Sequence, residues 1–290
     1  MGAWAHLDPQ SALRQAQVAD DVRKSGGTLG PLHGIPVGIK DIIDTHDLPT
    51  EYGTGVFAGR RPERDAEVVR RLRAAGAIIL GKTVTTELAF YGPGKTRNPI
   101  DPNRTPGGSS SGSAASVADH HVPLALGSQT AGSILRPASY CGVVGFKPTF
   151  GMVPLDGVLA QSPPLDTLGG YARNVEDIAI LTSVLAARPM RVDTSRRSLR
   201  LAFVRTPSWP QGDEGMRAAF LEMAETNRQI ITEVELPGVF ADTGGLQRAL
   251  QFRDIARNYG PIVEANPELV SAKLKEVVSE GRTVSDAEYN

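Results

Sequence analysis

One stretch, from Gly107 to Pro148, constrains the fold of this chain more than any other. It reads GGSSSGSAASVADHHVPLALGSQTAGSILRPASYCGVVGFKP. Serines cluster in glycine-rich turns at its start and again around Ser128 and Ser133, and each cluster adjoins an apolar run typical of a buried core. Glycine beside serine inside a core permits unusual backbone angles and a close approach of another group. The stretch therefore predicts a functional site rather than a linker.

Composition limits the class of protein. The 290 residues are 40% hydrophobic and 22% charged, with a formal net charge of -1, which predicts a folded chain and argues against nucleic acid or an anionic membrane as the main partner. No apolar run approaches the roughly 18 residues that cross a bilayer, and residues 1–9 lack the pattern of a signal peptide. The lone cysteine, Cys141, excludes an internal disulfide and predicts a small core residue in a protein of the reducing cytoplasm.

Helix-type and strand-type patterns alternate along the chain and predict an α/β fold. Residues 151–170 have the composition of a turn-rich loop. Asn174 is predicted to cap a helix that runs to about Leu185. The pair Asn266-Pro267 predicts the start of the last helix.

The same patterns suggest how the chain is divided. Residues 1–187 are predicted to form a core that contains the catalytic residues. Residues 188–290 are predicted to continue the same α/β domain with helices and strands on the substrate side. A polar segment, residues 188–198, predicts a linker between these parts.

Two familiar kinds of site are not supported by the sequence. Residues 76–83, GAIILGKT, match the phosphate-binding pattern GxxxxGKT, but the four residues between the glycines are themselves a strand pattern. Their N–H groups would be used in a sheet rather than by phosphate. The five histidines show no ligand spacing such as HExxH: His6 lies near the start of the chain, and His120 and His121 end a predicted helix before a strand. We therefore predict no catalytic metal and keep a histidine-based hydrolase only as an alternative.

A serine activated by a lysine is the chemistry that remains. The turn Thr130-Ala131-Gly132-Ser133 offers a nucleophile among small residues, whose backbone N–H groups can point at a carbonyl oxygen. Lys40 lies in a strand predicted over residues 31–43, on a face that it shares with Pro36 and Gly38, and burial there would favour its uncharged amine. Two simpler interpretations stay open, because a lysine on a strand usually points to solvent and Ser133 alone is typical of a helix N-cap.

At these residues the chain resembles the amidase signature family. The resemblance is carried by GGSSSGSAASVA, LALGSQTAGSILRPASYCGVVGFKPT, PLHGIPVGIKDIIDT and SPPLDTLGGYARNVEDIAIL, which together cover most of residues 30–186. It implies the fold of that family, a mixed, mostly parallel central β-sheet covered by helices on both faces. Members are usually considerably longer, so the resemblance also implies that the C-terminal part of the fold is missing here.

The resemblance further implies the residues of the site. The family's lysine, its serine preceded by a cis peptide bond and its nucleophilic serine fall on Lys40, Ser109 and Ser133, with the cis bond between Gly108 and Ser109. The implied mechanism is a relay in which neutral Lys40 accepts a proton from Ser109, and Ser109 accepts one from Ser133. The oxyanion hole is implied in the backbone N–H groups of Thr130, Ala131, Gly132 and Ser133. No cofactor and no metal are implied.

Two positions depart from the family's signature. Leu135 lies where the family often has an arginine, two residues after the nucleophile, and Gln129 replaces the acid that is common in the signature. The substitution of the acid is expected to alter the support of the catalytic turn.

Arg136 is the one indication of a substrate. It follows Ser133 by three residues, one helical turn, and a similarly displaced arginine in some hydrolases of small-diacid monoamides binds the substrate carboxylate. A structural ion pair, for example with Asp166, is an equally weighted alternative. Gly108 and Ser110 are also predicted to contact the substrate.

Three functions stay open at this point. The main prediction is an amidase that hydrolyses the carboxamide C–N bond of a small molecule to a carboxylate and ammonia or an amine, through a serine acyl-enzyme. The alternatives are an amidotransferase subunit that releases ammonia to a partner and a truncated, inactive family member. We expect a small-molecule amide as partner, neither nucleic acid nor a membrane, and the sequence is compatible with a homodimer.

Overall fold

The computed structural model describes residues 1–193, 195 and 199–290. Its contacts divide the chain into two compact units, unit 1 (residues 1–192 and 251–285) and unit 2 (residues 193–250 and 286–290). The linker predicted over residues 188–198 includes positions 194 and 196–198, which lie outside the described residues.

A six-stranded sheet forms the centre of unit 1. Its strands are β1 (Trp4–Leu7), β2 (Pro36–Lys40), β3 (Ile78–Thr83), β4 (Leu124–Gln129), β5 (Val144–Phe146) and β6 (Thr167–Ala172). Their order across the sheet is β1-β3-β2-β4-β6-β5. The inner strands β3, β2 and β4 are parallel, while β1, β6 and β5 add in antiparallel pairs. The predicted mixed α/β fold is confirmed, and residues 78–83 of the GxxxxGKT pattern form β3, as its strand-like residues indicated.

The α-helices of the two units are numbered together in chain order. They are α1 (Pro9–Lys24), α2 (Glu67–Ala74), α3 (Ser111–Ala118), α4 (Leu135–Cys141), α5 (Val175–Leu185), α6 (Glu214–Thr226), α7 (Thr243–Ala265), α8 (Ala272–Thr283) and α9 (Asp286–Tyr289). Asn174 caps α5 as predicted, since its side chain accepts the N–H of Asp177. Within the described part of the chain, none of these helices combines the length and the apolar character needed to cross a bilayer.

The prediction that Asn266-Pro267 begins the last helix is wrong. Asn266 instead continues the hydrogen bonding of α7, because its N–H donates to the carbonyl of Ile262. Ser271 caps α8, and its hydroxyl accepts the N–H of Leu274. An N-cap serine satisfies one of the unpaired N–H groups at a helix start, which explains why α8 begins after it.

The loop predicted over residues 151–170 is wrong at its end, where β6 begins at Thr167. The glycines that suggested a turn serve close packing instead. A Cβ on Gly169 would come within 2.1 Å of the Phe146 carbonyl oxygen, and a Cβ on Gly170 within 2.6 Å of Leu181. Only glycine fits at these strand positions without moving the neighbouring strand and helix.

The core lies on both faces of the sheet, as alternate residues of β4 show. Leu124 and Leu126 belong to a large apolar cluster that includes α5 and residues of α2, whereas Ala125 belongs to a smaller cluster with α3 and α4. The face of Ala125 also packs against Gly38, where a Cβ would lie 2.9 Å from Thr83. Lys40 follows Gly38 by two residues, so the strand directs it to this tightly packed face.

Unit 2 is a smaller α/β unit. Two short parallel strands, β7 (Leu201–Phe203) and β8 (Ile231–Glu233), form its sheet. Helix α6 carries half-exposed apolar side chains, among them Phe220 and Leu221. The residues predicted to carry chemistry all belong to unit 1.

Candidate active site

The Lys40 amine is fully buried between two serine hydroxyls. Its Nζ donates to Ser109 Oγ at 2.7 Å and to Ser128 Oγ at 2.8 Å. Strands β2 and β4 run parallel in neighbouring positions, so their carboxyl ends bring Lys40 and Ser128 to the same edge of the sheet. Ser109 comes from the loop before α3, 69 residues after Lys40. The solvent-exposed interpretation of Lys40 is therefore wrong.

Burial changes the acid–base chemistry of this lysine. Removal of the amine from water lowers the pKa of Lys40 to about 7, and the negative charge of Asp166 partly opposes this by raising it. An ordinary lysine is almost entirely protonated at neutral pH, whereas a substantial fraction of Lys40 carries a free lone pair there. The arrangement supplies a base in contact with a hydroxyl.

The chain around Ser109 is held on both sides. The Gly108–Ser109 peptide bond is cis, as the resemblance implied. The carbonyl of Ser109 accepts the N–H of Thr86 at 3.1 Å. The carbonyl of Gly108 accepts Nε and Nη2 of Arg136 at 3.2 and 3.0 Å. These bonds fix the orientation of the backbone from which the Ser109 hydroxyl reaches Lys40.

Ser133 lies in the turn between β4 and α4. Gln129 supports this turn, because its side-chain oxygen accepts the N–H groups of Ile134 and Leu135 at 2.9 and 3.0 Å. The hydroxyl of Tyr171 donates to the carbonyl of Ser133 at 3.1 Å. Gln129 is thus the side-chain cap of α4. Its amide oxygen accepts the two N–H groups that the carboxylate of an acid could also accept, and Ser133 is not needed as an N-cap.

The backbone of the turn carries donors that have no acceptor among the described residues. Among the described residues, no hydrogen bond uses the N–H groups of Ala131, Gly132 or Ser133. Thr130 holds the turn from the other side, since its hydroxyl donates to Asp166 at 2.5 Å. Small side chains at Ala131 and Gly132 leave the donors open to a ligand oxygen, which is the requirement for an oxyanion hole.

The structure brings Lys40 and Ser109 into direct contact, but it does not join Ser133 to them by a hydrogen bond. The described residues form no hydrogen bond with the Ser133 hydroxyl, although the residue is 9% exposed. Hydrogen bonds of a catalytic group often tighten only when the substrate is bound.

The ion pair considered for Arg136 and Asp166 is not formed in the described residues. Asp166 accepts the Thr130 hydroxyl and the N–H groups of Gln161 and Ser162, at 2.5, 2.8 and 3.0 Å. Burial raises the pKa of Asp166 above its usual range, and these hydrogen bonds oppose the shift only in part. Arg136 donates to the Gly108 carbonyl instead and is exposed.

Two concave spaces that are lined by described residues adjoin the site. A groove of about 370 Å³ has Arg136 and Gly108 in its wall, with the aromatic rings of Phe90, Tyr91 and Tyr140. A more enclosed cavity of about 160 Å³ is lined by Ser128, Thr130 and Asp166 and by apolar side chains, Ile42, Leu155, Val158 and Leu159. The groove thus has the cationic side chain of Arg136 in its wall, whereas the enclosed cavity is largely apolar.

Ser110 supports the backbone of Ser128 inside the site. Ser110 is fully buried, and its hydroxyl bonds to both the N–H and the carbonyl of Ser128 at 3.3 and 3.2 Å. Ser128 was not predicted as a partner of Lys40. A polar residue at the carboxyl end of an inner parallel strand was the available signal, because such ends meet at one edge of the sheet.

One group of described residues has the side chains of a metal site. His46, Asp47 and Asp65 lie close together. Arg73 donates to Asp47 at 2.7 Å and to Asp65 at 2.9 Å. A guanidinium already balances these carboxylates, which makes the cluster a poor site for a cation.

Comparisons with known proteins agree with this geometry. A family model described as Amidase matches residues 1–237. A glutamyl-tRNA(Gln) amidotransferase subunit of Chloroflexus aurantiacus is 46% identical over 199 residues, which are 67% of this chain and 41% of that protein. The corresponding protein of Thermobifida fusca is 40% identical over 266 residues, 82% of this chain and 53% of that protein. The chain thus spans about half the length of the curated relatives that it matches.

Solved structures extend the likeness to the fold. A crystal structure titled as an amidase has a TM-score of 0.90 at 34% identity and matches 99% of this chain and 68% of its own length. The native peptide amidase from Stenotrophomonas maltophilia has a TM-score of 0.82 at 32% identity and matches 99% and 69%. The motifs, the fold and the family model therefore agree, and the chain belongs to the amidase family, in the amidase signature group.

Proposed function

We propose that this chain carries the catalytic centre of an amidase that cleaves the carboxamide C–N bond of a small molecule. The observation that carries the proposal is the buried Lys40 amine, with a pKa lowered to about 7, at 2.7 Å from the Ser109 hydroxyl. Lysine and serine at this distance form a base and a proton relay at neutral pH without a histidine. Membership of the amidase family supports amide C–N cleavage at a general level.

In the proposed acylation step, Ser133 Oγ attacks the amide carbonyl carbon. Its proton passes to Ser109 Oγ, while the proton of Ser109 passes to the lone pair of Lys40. The carbonyl oxygen becomes an oxyanion and accepts hydrogen bonds from the N–H groups of Ala131, Gly132 and Ser133, with that of Thr130 as a further candidate donor. Donors fixed before the reaction stabilise this charge without reorganisation.

The breakdown of the tetrahedral intermediate returns the proton. The C–N bond breaks, and the leaving nitrogen takes a proton from Ser109, which regains one from the Lys40 ammonium. Water then attacks the acyl-enzyme and gives its proton through Ser109 to Lys40. The bond between the acyl carbon and Ser133 Oγ breaks, Ser133 regains its proton from Lys40 through Ser109, and the carboxylate is released. The cycle requires no oxidant, reductant or cofactor.

Arg136 supports a substrate that carries a free carboxylate. Two of its five N–H donors bond to the Gly108 carbonyl, and Arg136 and Gly108 both line the groove. A guanidinium held in this way can bind a carboxylate with little loss of side-chain entropy. The proposed substrate class is therefore a small amide with a carboxylate a few bonds from the scissile carbonyl.

Ammonia release from a panel of small amides tests the catalytic proposal, with Ser133→Ala beside the wild type. We expect the wild type to release ammonia from at least one amide and the variant to lose about 10³-fold or more in kcat. Ser116→Ala is the matched control, because its hydroxyl bonds to the carbonyl of Ser113 inside α3. If wild type and Ser133→Ala were equally inert, the inactive alternative would replace the amidase.

The substrate class is tested by the same panel with Arg136→Ala. We expect its kcat/KM to fall about tenfold to a hundredfold for amides with a carboxylate, and to change little for matched neutral amides. Arg136→Lys keeps the charge but not the forked geometry, so an intermediate loss is expected. An equal loss for both kinds of amide would remove Arg136 from substrate recognition.

A second function is favoured by the curated relatives, which are named as amidotransferase subunits. In that case the same centre would release ammonia to a partner protein. The discriminating measurement is ammonia release by the purified chain alone and after addition of proteins that co-purify with it. Activity that required such a partner would favour the amidotransferase function over the free-standing amidase.

A further inference from the structure

We infer that Ser128 is a positioning residue that holds the Lys40 amine with its lone pair toward Ser109. The inference rests on the proposed relay and concerns a residue outside the lysine and two serines of that relay. The Lys40 amine contacts two hydroxyls at nearly equal distances, 2.7 Å to Ser109 and 2.8 Å to Ser128. A relay requires that these two hydroxyls have different roles.

The lone pair of a neutral amine explains the need for a second hydroxyl. Neutral lysine has two N–H donors and one acceptor position. To receive a proton from Ser109, the lone pair must face Ser109 Oγ, and an N–H must then find another acceptor in a site without bulk water. Ser128 Oγ is that acceptor. Without it, rotation about the terminal C–N bond would direct an N–H, rather than the lone pair, toward Ser109.

The backbone of Ser128 is rigid enough for this role. Ser128 pairs with buried Leu168 in the antiparallel ladder of β4 and β6. Its N–H and carbonyl both bond to the hydroxyl of Ser110, which is fully buried. Anchored on two sides, the strand presents the Ser128 hydroxyl at a fixed point beside Lys40, which is the support that a precise proton transfer needs.

The charges around Lys40 allow the role of Ser128 to be tested through the pKa of the amine. Asp166 is the charged group that acts on Lys40, and it favours the ammonium. Lys82 and Asp41 pair with one another at 3.6 Å. Against this constant background, Ser128 Oγ accepts a stronger hydrogen bond from the ammonium than from the neutral amine. Loss of the hydroxyl should therefore lower the pKa of Lys40 further while it slows the reaction.

The test compares Ser128→Thr with Ser128→Val, which have the same shape and differ in the hydroxyl. We expect Ser128→Thr to keep kcat within about threefold of the wild type. Ser128→Val should lose about tenfold to a hundredfold in kcat with little change in KM, because orientation of the base is lost and substrate contacts are not. The acid limb of its pH–rate profile should move to lower pH. Ser128→Ala is the smallest change and serves if the branched side chains do not fit.

A second readout is independent of turnover. The ¹³Cε resonance of Lys40, identified by its loss in Lys40→Met, is titrated by NMR in each variant. We expect the midpoint in Ser128→Val and Ser128→Ala to move to lower pH and the midpoint in Ser128→Thr to stay near that of the wild type. Ser116→Ala controls for the loss of a buried serine hydroxyl elsewhere and should leave the midpoint unchanged.

The outcomes separate the two proposals. An unchanged or higher midpoint in Ser128→Val, with wild-type kcat, would overturn the role of Ser128 and leave the amidase proposal intact. A wild type without amidase activity would defeat the proposed function, yet the NMR titration would still decide whether Ser128 holds the Lys40 amine. A loss of kcat in Ser128→Thr as large as in Ser128→Val would show that shape, rather than the hydroxyl, is responsible, and would also overturn the inference.

Discussion

Two lysines of this chain are fully buried, and they differ in the groups that surround them. Lys40 faces two serine hydroxyls and has no carboxylate within ion-pair distance in the described residues. Lys82 donates to the carbonyl of Ile43 at 2.6 Å and the hydroxyl of Thr50 at 2.5 Å, and it lies 3.6 Å from Asp41. Burial lowers the pKa of both, to about 7 for Lys40, where Asp166 opposes the shift, and to about 8 for Lys82, where Asp41 opposes it.

Burial alone therefore does not make a lysine a base. A carboxylate, a carbonyl and one hydroxyl surround the donors of Lys82, and the carboxylate favours its ammonium, so its charge holds the chain that follows β2. Lys40 has acceptors that can also donate, since a hydroxyl carries both a proton and lone pairs. A buried lysine between hydroxyls can therefore exchange protons, while one beside a carboxylate serves mainly to fix structure.

The largest expected effect is the loss of activity in Lys40→Met. Removal of the proposed base should lower kcat/KM by about 10²-fold to 10⁴-fold. The fold should be retained, because a buried amine is replaced by an apolar chain of similar length. Steady-state rates and thermal unfolding measure the two effects. Substantial activity in a folded Lys40→Met protein would contradict the proposed difference between the two lysines, since Lys40 would then be no more important for catalysis than Lys82.

The matching change in the other lysine, Lys82→Met, should act on stability first. It leaves Asp41 buried without its cation, which is expected to cost about 3 kcal/mol of unfolding free energy. Denaturant unfolding followed by circular dichroism gives this loss. Activity per folded molecule should fall much less than in Lys40→Met. A stable Lys82→Met protein with the activity loss expected of Lys40→Met would contradict this assignment and indicate a catalytic role for Lys82.

The smallest expected effect is a change in the pH dependence. Because the pKa of Lys40 is lowered to about 7, kcat/KM should rise with pH through about 7 and be lost in acid as the amine becomes protonated. Asp166→Asn removes the charge that favours the ammonium, so the acid limb should move to lower pH. A pH–rate profile for both proteins is the measurement. A wild-type rate still maximal well below pH 6 would contradict Lys40 as the base.

Local patterns in the sequence were sufficient for most elements of unit 1. The alternation in β2 correctly directs Lys40 to the face of Gly38, and the cap at Asn174 correctly begins α5. Prediction failed at β6, where glycines required by the neighbouring strand and helix look like turn residues. It also failed at α8, where Ser271 rather than Asn266-Pro267 provides the cap. At β6 the deciding contacts come from residues that are not near neighbours in the chain.

By itself, the sequence determined which chemistry was available: serines in glycine-rich turns, a lysine on a face of small residues, and the motifs of the amidase signature family. Tertiary structure decided which of these groups meet. Parallel pairing of β2 and β4 brings Ser128 to Lys40, the contact of Arg136 with Gly108 replaces the ion pair with Asp166, and Gln129 takes over the cap of α4. The pKa of Lys40 near 7 is also a consequence of the tertiary structure, because the elements packed around the amine remove it from water together and none of them does so alone.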